Sequence, residues 1–298
     1  MDVLVVGGSG FIGQNLCTEL LDRGHDVTAL SRSPDPEVLP GNVETAMGDV
    51  TAYDSIEPAF EGRDAVYNLV SLSPLFEPRG GNERHDQVHR GGTEHCLRAA
   101  ADHEVDRFVQ MSALGADPDG KTHYIRAKGR AEALVRDTDT DWTIVRPSVV
   151  FGDGGEFVPF TRKLTPPVVA PLPGGGKTRF QPIYVGDLVP MLADTVEDDR
   201  HVGATHELGG PEVVTLAEVA RLARRARGQS VTVVPVPMAL AGVGLSIAGA
   251  IPGVPMGPDQ YRSLTFDNTT DENDVDAFDV EKAEMTTLAE YLDVTPPL

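Results

Sequence analysis

Short runs of apolar residues alternate with longer amphipathic stretches through the first half of the chain. The apolar runs predict six strands, which are Asp2–Val6, Asp26–Leu30, Val43–Met47, Ala65–Leu69, Arg107–Met111 and Thr143–Arg146. Apolar residues spaced by three and four positions predict the helices between them, which are Phe11–Arg23, Ser55–Phe60, His89–His103 and Thr122–Arg136. Strands and helices that alternate in this way form βαβ units, because parallel strands need a crossover connection. The predicted fold class is therefore α/β, with a doubly wound parallel sheet covered on both faces.

The regular alternation ends after Val149. Residues 151–182 are rich in glycine and proline, which predicts loop and crossover. A strand over Gln181–Val185 and a helix over Gly186–Glu197 indicate a return to the main sheet. We therefore predict a larger domain over residues 1–150 with returning elements at about 181–210, and a smaller C-terminal α+β domain over residues 151–180 and 211–298. The smaller domain is expected to hold substrate or a partner.

One segment, from Gly228 to Pro258, carries no formal charge, and within it Met238–Ile251 is almost entirely apolar. Prolines bracket the apolar run and leave about fourteen residues for a helix, fewer than the ~20 needed to span a bilayer. Two interpretations remain open. The run is either a helix packed in the smaller domain or a surface that docks on a membrane or a partner protein, because a large exposed apolar patch is costly.

The charge balance excludes one class of function. The chain carries 46 acidic and 25 basic side chains, which give a formal net charge of −21 and a pI near 4.6. Nucleic-acid-binding proteins need lysine and arginine to replace phosphate counterions, so we expect no nucleic-acid partner. Only five of the basic residues are lysines. Many carboxylates with few lysines are typical of a protein that stays soluble in concentrated salt, and an ordinary acidic cytosolic enzyme is the alternative.

The cysteines and the N-terminus add further exclusions. Cys17 and Cys96 lie in predicted helices and neither belongs to a Cys-x-x-Cys pair, so we expect no disulfide and no metal site. The N-terminal residues lack the basic start of a secretory signal and run directly into a strand. We therefore expect a cytoplasmic protein, or one bound peripherally to the inner face of the membrane, in a high-salt environment.

The turn after the first strand carries glycine at positions 7, 10 and 13. Glycine permits a tight turn and a close approach of the backbone to a pyrophosphate, whose charge the N-terminus of the next helix stabilises. A strand before the turn and a helix after it are the context of a Rossmann-type dinucleotide site. The residues expected to contact the cofactor here are Gly7, Ser9, Gly10, Phe11, Ile12 and Gly13.

The end of the second strand selects the cofactor in such folds, because an acidic residue there binds the ribose 2′-hydroxyl. This chain carries Ser31-Arg32-Ser33 instead. Arg32 can pair with a 2′-phosphate and Ser31 can add a hydrogen bond, so NADP(H) is favoured and NAD(H) is the alternative. Asp49 and Val50 follow the third strand and are expected beside the adenine, with a simple turn as the alternative.

Tyr124 and Lys128 lie four residues apart on a predicted helix and therefore share one face. A nearby ammonium group stabilises tyrosinate, so we expect the pKa of Tyr124 to be lowered and its phenol to act as an acid or base near neutral pH. Ser112 ends the preceding strand and can hold a substrate oxygen beside the phenol. These three residues are the predicted catalytic set.

Together these motifs resemble the short-chain dehydrogenase/reductase superfamily, in its extended or atypical branch of NAD-dependent epimerase/dehydratase-like proteins. The residues that carry the resemblance are Gly7-x-x-Gly10-x-x-Gly13, Asp49, Ser112, Tyr124-x-x-x-Lys128 and Arg146-Pro147-Ser148-Val149-Val150-Phe151-Gly152. The stretch Ser112-Ala113-Leu114-Gly115-Ala116 is similar to the group related to the NAD(P)-binding accessory subunit of respiratory complex I. One departure is His89, which stands where sugar-nucleotide epimerases usually carry asparagine.

The resemblance implies roles for individual residues. Tyr124 would be the acid or base, Lys128 would bind the nicotinamide ribose, and Ser112 would orient the substrate. Pro147 would join Tyr124 and Lys128 among the cofactor contacts. The implied function is an NADP(H)-binding oxidoreductase for a small-molecule substrate that the sequence does not identify.

Two alternative functions stay open. One is a weakly catalytic or non-catalytic cofactor-binding subunit of a respiratory NADH dehydrogenase-like assembly. Such a subunit would contact a membrane or respiratory partner through the uncharged residues 228–258. The other is a nucleotide-sugar epimerase or dehydratase, in which the cofactor is held and regenerated.

Overall fold

The structure, a computed structural model, describes residues 1–237 and 258–295. The chain divides into two units. Unit 1 comprises Met1–Leu72, Gly80–Pro147 and Val185–Glu207, and unit 2 comprises Ser73–Arg79, Ser148–Tyr184 and Leu208–Leu298. The predicted helix Met238–Ile251, in the uncharged segment, lies outside the described residues. Within the described part of the chain, no helix is long and apolar enough to cross a membrane.

The elements are numbered in chain order. The strands are β1 Asp2–Val6, β2 Asp26–Ser31, β3 Glu44–Met47, β4 Ala65–Asn68, β5 Arg107–Met111, β6 Asp141–Pro147, β7 Val150–Phe151, β8 Val168–Pro173, β9 Arg179–Phe180, β10 Ile183–Tyr184, β11 Ala204–Leu208, β12 Val214–Thr215 and β13 Val231–Val236. The α-helices are α1 Phe11–Asp22, α2 Tyr53–Ile56, α3 Gly92–Asp102, α4 His123–Arg136, α5 Phe157–Leu164, α6 Val185–Glu197, α7 Leu216–Arg225, α8 Pro258–Ser263 and α9 Leu288–Tyr291. A π-helix spans Asp86–Gly91, and 3₁₀ turns span Glu57–Phe60, Asp199–His201, Asp274–Phe278 and Lys282–Glu284.

Seven strands form the parallel sheet of unit 1, in the order β11-β6-β5-β4-β1-β2-β3. Val6 at the end of β1 lies opposite Leu30 of β2 and Asn68 of β4. The strand order reverses between β1 and β4, so the loops after these two strands diverge and leave a crevice at the carboxyl edge. The predicted α/β fold with a doubly wound parallel sheet is confirmed.

Burial explains why β1 is apolar from its second residue to its end. The four apolar residues of β1 are all 0% exposed. In a parallel sheet with helices on both faces, alternating polar positions would be buried without partners. On one face, the strands pack with Phe60, Cys96 and Val135 in a continuous core.

Arg23, directly after α1, holds that helix against α6. Its guanidinium group contacts the carboxylates of Glu19, Asp194 and Glu197 at 2.6–2.7 Å and the carbonyl oxygen of Pro190 at 3.1 Å. The side chain is only 23% exposed, so several charge-assisted hydrogen bonds act together with little solvent screening. The helix that begins at the glycine turn is therefore anchored at its far end.

Several predicted elements differ from the observed ones. The predicted helix His89–His103 begins earlier, as the π-helix, and continues as α3. The predicted strand Gln181–Val185 does not enter the main sheet, because only Ile183–Tyr184 is extended and it pairs with β7. The chain returns to unit 1 at α6, and β11 then lies beside β6. Which strands pair with each other decides whether a segment joins the main sheet, and the local pattern of apolar residues does not reveal the pairing.

The described residues of unit 2 form three two-stranded sheets: β7 with β10, β8 with β13, and β9 with β12. Helix α7 begins with a capping box, in which Thr215 and Glu218 satisfy each other's backbone N–H groups. The apolar side of α7 packs with Phe151, Phe157 and Leu288 in the core of this unit.

Candidate functional site

The glycine turn joins β1 to α1 through a backbone path that requires glycine at its first position. Gly7 has φ +91°, a conformation that other residues rarely adopt, and its N–H donates to the carbonyl oxygen of Leu30 at 2.8 Å. Gly10 then precedes the first residue of α1, Phe11, with no side chain capping the helix. The first N–H groups of α1 therefore remain without a capping side chain, as an anion site at a helix N-terminus requires.

Two glycines of the turn lie so close to neighbouring backbone that no side chain fits. A Cβ added at Gly13 would lie 2.4 Å from the carbonyl oxygen of Gly7, and one at Gly8 would lie 2.6 Å from the Cβ of Ala29. Gly8 was missed by the sequence analysis because it lies outside the spaced triplet. The small side chain of Ala29 could have indicated that Gly8 needs to be a glycine. That contact becomes apparent only when β1 is known to pair with β2.

A cleft opens at the carboxyl edge of the sheet in unit 1, next to this turn. Its lining includes Gly7, Ser31, Arg32, Asp49, Val50 and Arg84. All of these except Arg84 were predicted cofactor contacts, and the structure brings those five together in one cleft. Ser9 joins the same region through its hydroxyl, which lies 3.0 Å from that of Ser31. Pro147 is not among the lining residues, and its carbonyl oxygen accepts from the N–H of Leu114 at 3.2 Å.

Two arginines give this cleft a local positive charge. Arg32 is exposed and, among the described residues, makes neither a hydrogen bond nor a salt bridge, while Arg84 donates to Gln87 at 2.9 Å. Partial burial works to raise the pKa of Asp49, but hydrogen bonds from Thr51 and the charges of both arginines outweigh it and hold that pKa below its ordinary value. Arg84 was missed because nothing in its local sequence connects it to the end of β2.

Tyr124 and Lys128 lie on the first two turns of α4, whose N-terminus is capped by the hydroxyl of Thr122. The Lys128 ammonium nitrogen lies 5.9 Å from the centroid of the Tyr124 ring and donates to the carbonyl oxygen of Met111 at 2.9 Å. Burial lowers the pKa of Lys128 to about 8, and the Glu132 carboxylate opposes that shift. The predicted common face of the two side chains is thus present, and the lysine is fully buried.

The pKa of Tyr124 differs from the sequence expectation. Burial raises it above the ordinary value, and a hydrogen bond with Ser71 opposes the rise only in part. The rings of His85 and His89 pack edge-on against the phenol, with centroids at 5.7 and 5.3 Å. The lowering expected from Lys128 is therefore wrong, because removing water from the phenol has the larger effect.

His89 belongs to the π-helix, lies next to Tyr124 of α4 and is 2% exposed. Its Nε2 accepts the N–H of Leu72 at 2.9 Å, so the imidazole is neutral there with its proton on Nδ1. Burial, together with the charge of Lys128, lowers the pKa of His89 well below its ordinary value. His89, at the position where sugar-nucleotide epimerases usually carry asparagine, therefore positions the loop after β4 without adding a charge.

Ser112 has a different partner from the one expected. Its hydroxyl donates to a carboxylate oxygen of Glu132 at 2.5 Å, and both residues are buried. The same carboxylate accepts two hydrogen bonds from Arg146, at 2.7 and 2.8 Å, and one from Arg136 at 2.9 Å. Ser112 could donate to a substrate oxygen only if this hydroxyl exchanged its partner. Glu132 was missed because its importance comes from side chains distant in sequence.

The two cysteines do not contribute to this site. Cys17 and Cys96 are both free and buried. Burial raises the pKa of each thiol to about 12, so neither is a nucleophile near neutral pH.

Comparison with known proteins gives a consistent family signal. Residues 7–165 match a family model described as NAD(P)H-binding. Over 227 residues the chain is 31% identical to the mitochondrial NADH dehydrogenase (ubiquinone) 1 alpha subcomplex subunit 9 of Arabidopsis thaliana, covering 73% of this chain and 56% of that protein. It is 30% identical to the mitochondrial NADH-ubiquinone oxidoreductase 40 kDa subunit of Neurospora crassa, covering 62% of this chain and 48% of that protein. The chain thus spans about half the length of these two relatives.

Another relative is an enzyme by name. Over 261 residues the chain is 30% identical to the 3 beta-hydroxysteroid dehydrogenase/Delta 5-->4-isomerase of Mycobacterium tuberculosis, covering 76% of this chain and 70% of that protein. Among solved structures, a nucleoside-diphosphate-sugar epimerase of Staphylococcus aureus matches with a TM-score of 0.72 at 17% identity, covering 98% and 99% of the two chains. The UDP-glucose 4-epimerase of Thermus thermophilus with NAD matches with a TM-score of 0.65 at 21% identity, covering 92% and 96%. At such low identity the two structures support the fold alone.

The close contact at Gly13 can be tested by adding one methyl group. In Gly13→Ala the new carbon would lie 2.4 Å from a carbonyl oxygen, so the backbone must shift. We expect a loss of about 1–3 kcal/mol in the free energy of unfolding, measured by urea denaturation, and weaker NADPH binding. Gly41→Ala is the matched control, because nothing lies within 4 Å of its added carbon. A Gly13→Ala protein with unchanged stability and NADPH affinity would contradict the role of this contact.

The buried lysine predicts a pH dependence. The pKa of Lys128 is about 8 in the folded protein against an ordinary value of 10.5, so between these values the folded state loses a proton that the unfolded chain keeps. Its contribution to stability therefore rises with pH over that window and is unfavourable below it. We expect the unfolding free energy of the wild type, relative to Lys128→Met, to rise from about pH 8 to pH 10.5. Lys282→Met, at an exposed site, should show no such trend, and a pH-independent difference for Lys128→Met would be evidence against the shift.

Proposed function

The chain belongs to the NAD(P)H-binding, epimerase/dehydratase-like family, and from that premise we propose that it is an oxidoreductase that prefers NADP(H). The observation that carries the proposal is the Tyr124–Lys128 pair, with the ammonium nitrogen 5.9 Å from the ring centroid, in the unit that also holds the glycine turn. The proposed reaction class is the interconversion of a carbonyl group and an alcohol.

Two features support binding of an anionic dinucleotide in unit 1. At Gly8 and Gly13 a Cβ has no room because other protein atoms lie too close, so the start of α1 packs tightly against the end of β1, as in dinucleotide-binding turns. Arg32 and Arg84 both line the cleft at the end of β2, and no acidic residue stands at the ribose position. The residues that would hold the cofactor are those of the turn and the cleft: Gly7, Ser9, Gly10, Phe11, Ile12, Gly13, Ser31, Arg32, Asp49, Val50 and Arg84.

The preference for NADP(H) over NAD(H) depends on charge. A ribose 2′-phosphate adds negative charge, and guanidinium groups bind phosphate through paired hydrogen bonds. A protein of net charge −21 repels such an anion on average, so the site has to reverse the field locally. Arg32, without a hydrogen bond or salt bridge among the described residues, is available for that purpose.

A cofactor held by the turn and the cleft would supply the hydride for reduction of a carbonyl carbon, or would take it up in oxidation of an alcohol. Tyr124 gives its phenolic proton to the substrate oxygen in reduction and recovers it in oxidation. Its raised pKa keeps the phenol protonated, which suits proton donation to the alkoxide that forms in reduction. Lys128 has a pKa of about 8 and is mostly protonated at pH 7, so its charge stabilises the phenolate that remains.

Ser112 is proposed as the residue that aligns the substrate oxygen. Its hydrogen bond to Glu132 fixes the hydroxyl at the end of β5 but uses its only proton. The hydroxyl oxygen can still accept a hydrogen bond, so the aligned group would be a substrate alcohol rather than a carbonyl. The same bond also ties β5 to α4, which carries Tyr124.

A second candidate function is a cofactor-binding subunit with little or no turnover. The specific support for it is that two relatives are named as subunits of respiratory NADH dehydrogenases. In that case, bound NADP(H) would stabilise a shape recognised by a membrane or respiratory partner, and the uncharged residues 228–258 would supply part of that contact. A nucleotide-sugar epimerase or dehydratase is a third candidate, supported by fold likeness alone.

The cofactor preference is tested by identifying and titrating the cofactor. Denaturing the purified protein should release NADP(H), and recovery of NAD(H) alone would overturn the preference. We expect Arg32→Gln and Arg84→Gln each to weaken NADPH binding by about tenfold or more and to change NADH binding little, because NADH has no 2′-phosphate. Arg98→Gln is the control, since that arginine is 65% exposed and lies on α3, outside the cleft.

Catalysis is tested by Tyr124→Phe, which removes the proton donor and keeps the ring. We expect kcat to fall by about 10²–10⁴-fold with NADPH binding retained, across a panel of carbonyl compounds, alcohols and nucleotide sugars. Tyr53→Phe, which removes a hydroxyl bonded to Asp102, is the control. If wild type and Tyr124→Phe are equally inert and the native protein co-purifies with a respiratory complex, the second candidate is favoured over the enzyme.

A further inference from the structure

Most arginines of this acidic protein are paired with carboxylates. Of the twenty, eleven have a carboxylate side chain within 4.0 Å, namely Arg23, Arg63, Arg90, Arg98, Arg107, Arg130, Arg136, Arg146, Arg179, Arg200 and Arg262. Four of the other nine lie together with Lys163 at the C-terminal ends of α5 and α7. We call these residues the basic patch: Arg162, Lys163, Arg224, Arg225 and Arg227. No salt bridge joins any of the five to a described carboxylate side chain.

Helix capping accounts for part of the basic patch. The Nε of Arg162 donates to the carbonyl oxygen of Ala223 at the end of α7, and the Nε of Arg224 donates to that of Thr165 after α5, at 3.0 and 2.6 Å. Each arginine thus caps the other helix, where positive charge is favourable. Capping does not account for Lys163, whose exposed side chain makes no hydrogen bond among the described residues.

Arg227 and Arg225 extend the patch beyond these two capping arginines. Both are exposed; Arg225 donates to the carbonyl oxygen of Thr295, and Arg227 makes no side-chain hydrogen bond among the described residues. Arg162 has its pKa lowered by burial and by the charges of Arg227 and Arg224. The guanidinium groups therefore lie close enough to repel one another, and an anionic partner would relieve that repulsion.

An exposed apolar edge begins three residues after Lys163. The sequence Pro166-Pro167-Val168-Val169 is exposed throughout, with Val168 at 71% and Val169 at 48%. These valines open β8, which pairs in parallel with β13, and Val234 of β13 is 43% exposed as well. Strand β13 begins four residues after Arg227, so both strands of this small sheet follow directly from the basic patch.

Val168 combines an exposed side chain with a strained backbone. Its φ is +76°, and the N–H of Val169 donates to the carbonyl oxygen of Pro167 at 3.0 Å, which makes Val168 the central residue of a strained γ-turn. A β-branched residue is unfavourable in this conformation, and glycine would be at ease there. Nothing buried compensates for the strain, since the side chain is 71% exposed. Strain at an exposed apolar residue indicates that the residue serves to contact another molecule rather than to stabilise the fold.

We propose that the basic patch and the adjoining valine edge bind an anionic lipid bilayer. Lipid headgroups pair with the cations that have no described carboxylate partner, while Pro167, Val168 and Val169 enter the boundary between headgroups and acyl chains. An acidic protein would also satisfy the cations, but it would need a shaped apolar groove to cover the valines, whereas a bilayer needs none. All of these residues lie in unit 2, and the proposal does not depend on the oxidoreductase activity of unit 1.

The charge requirement is tested with the full chain and vesicles. We expect the protein to co-sediment with vesicles that contain phosphatidylglycerol, more weakly at high salt, and not with vesicles of phosphatidylcholine alone. Lys163→Gln/Arg227→Gln removes two exposed cations that make no side-chain hydrogen bond among the described residues, and it should weaken binding by about fivefold for each charge. Arg98→Gln/Lys282→Gln is the control with the same net charge and should bind as the wild type does. Equal binding by the two double variants would overturn the proposal.

The apolar requirement is tested at Val168 and Val169. Val168→Gly relieves the positive φ and should keep or raise Tm while it weakens binding to phosphatidylglycerol vesicles. If Val168→Gly fails to fold, Val169→Thr provides a second test, because it adds polarity with little change in shape and should likewise weaken vesicle binding. Val213→Thr is its control, since Val213 is 50% exposed and Val169 is 48% exposed. Unchanged vesicle binding in a folded valine variant would overturn the proposal. The proposal would also be overturned if the wild type did not bind vesicles and bound an acidic protein specifically.

Discussion

The buried carboxylate of Glu132 is the constraint on which the rest of the proposed catalytic unit depends. It accepts hydrogen bonds from Ser112 at the end of β5, from Arg146 on β6 and from Arg136 on its own helix. It also favours the charged form of Lys128, one turn away. A carboxylate that is 1% exposed would be costly without these partners, so it holds two strands and α4 in one arrangement. The position of Tyr124 follows from that arrangement.

Burial and charge act in opposite directions around Tyr124. Loss of water raises the pKa of the phenol and lowers that of Lys128, so each group shifts towards its neutral form and no tyrosinate is formed in advance. A phenol that stays protonated beside an ammonium group of pKa about 8 is suited to giving up its proton when negative charge develops on a substrate oxygen. Neutral His89 adds to the burial without adding charge.

Local sequence predicted those parts of the molecule that depend on neighbours along the chain. The first six strands of the main sheet, the glycine turn and the shared face of Tyr124 and Lys128 all follow from short-range periodicity and turn chemistry. Gly8 and Arg84 did not follow, because each matters through residues far away in sequence. The same applies to Ser112, whose hydrogen-bond partner lies twenty residues away and was not foreseen.

What the sequence alone determined is therefore the α/β fold class, the dinucleotide turn and the Tyr-Lys spacing, since apolar periodicity and helical geometry act over a few residues. The tertiary structure decided which charges remain unpaired. Arg32 in the cleft and Arg227 in the basic patch lie on surfaces where no described carboxylate side chain reaches them, whereas Arg146 is neutralised by Glu132. Composition assigns all arginines the same charge. Only the fold determines which of them are free to bind an anion, because pairing depends on distance in space.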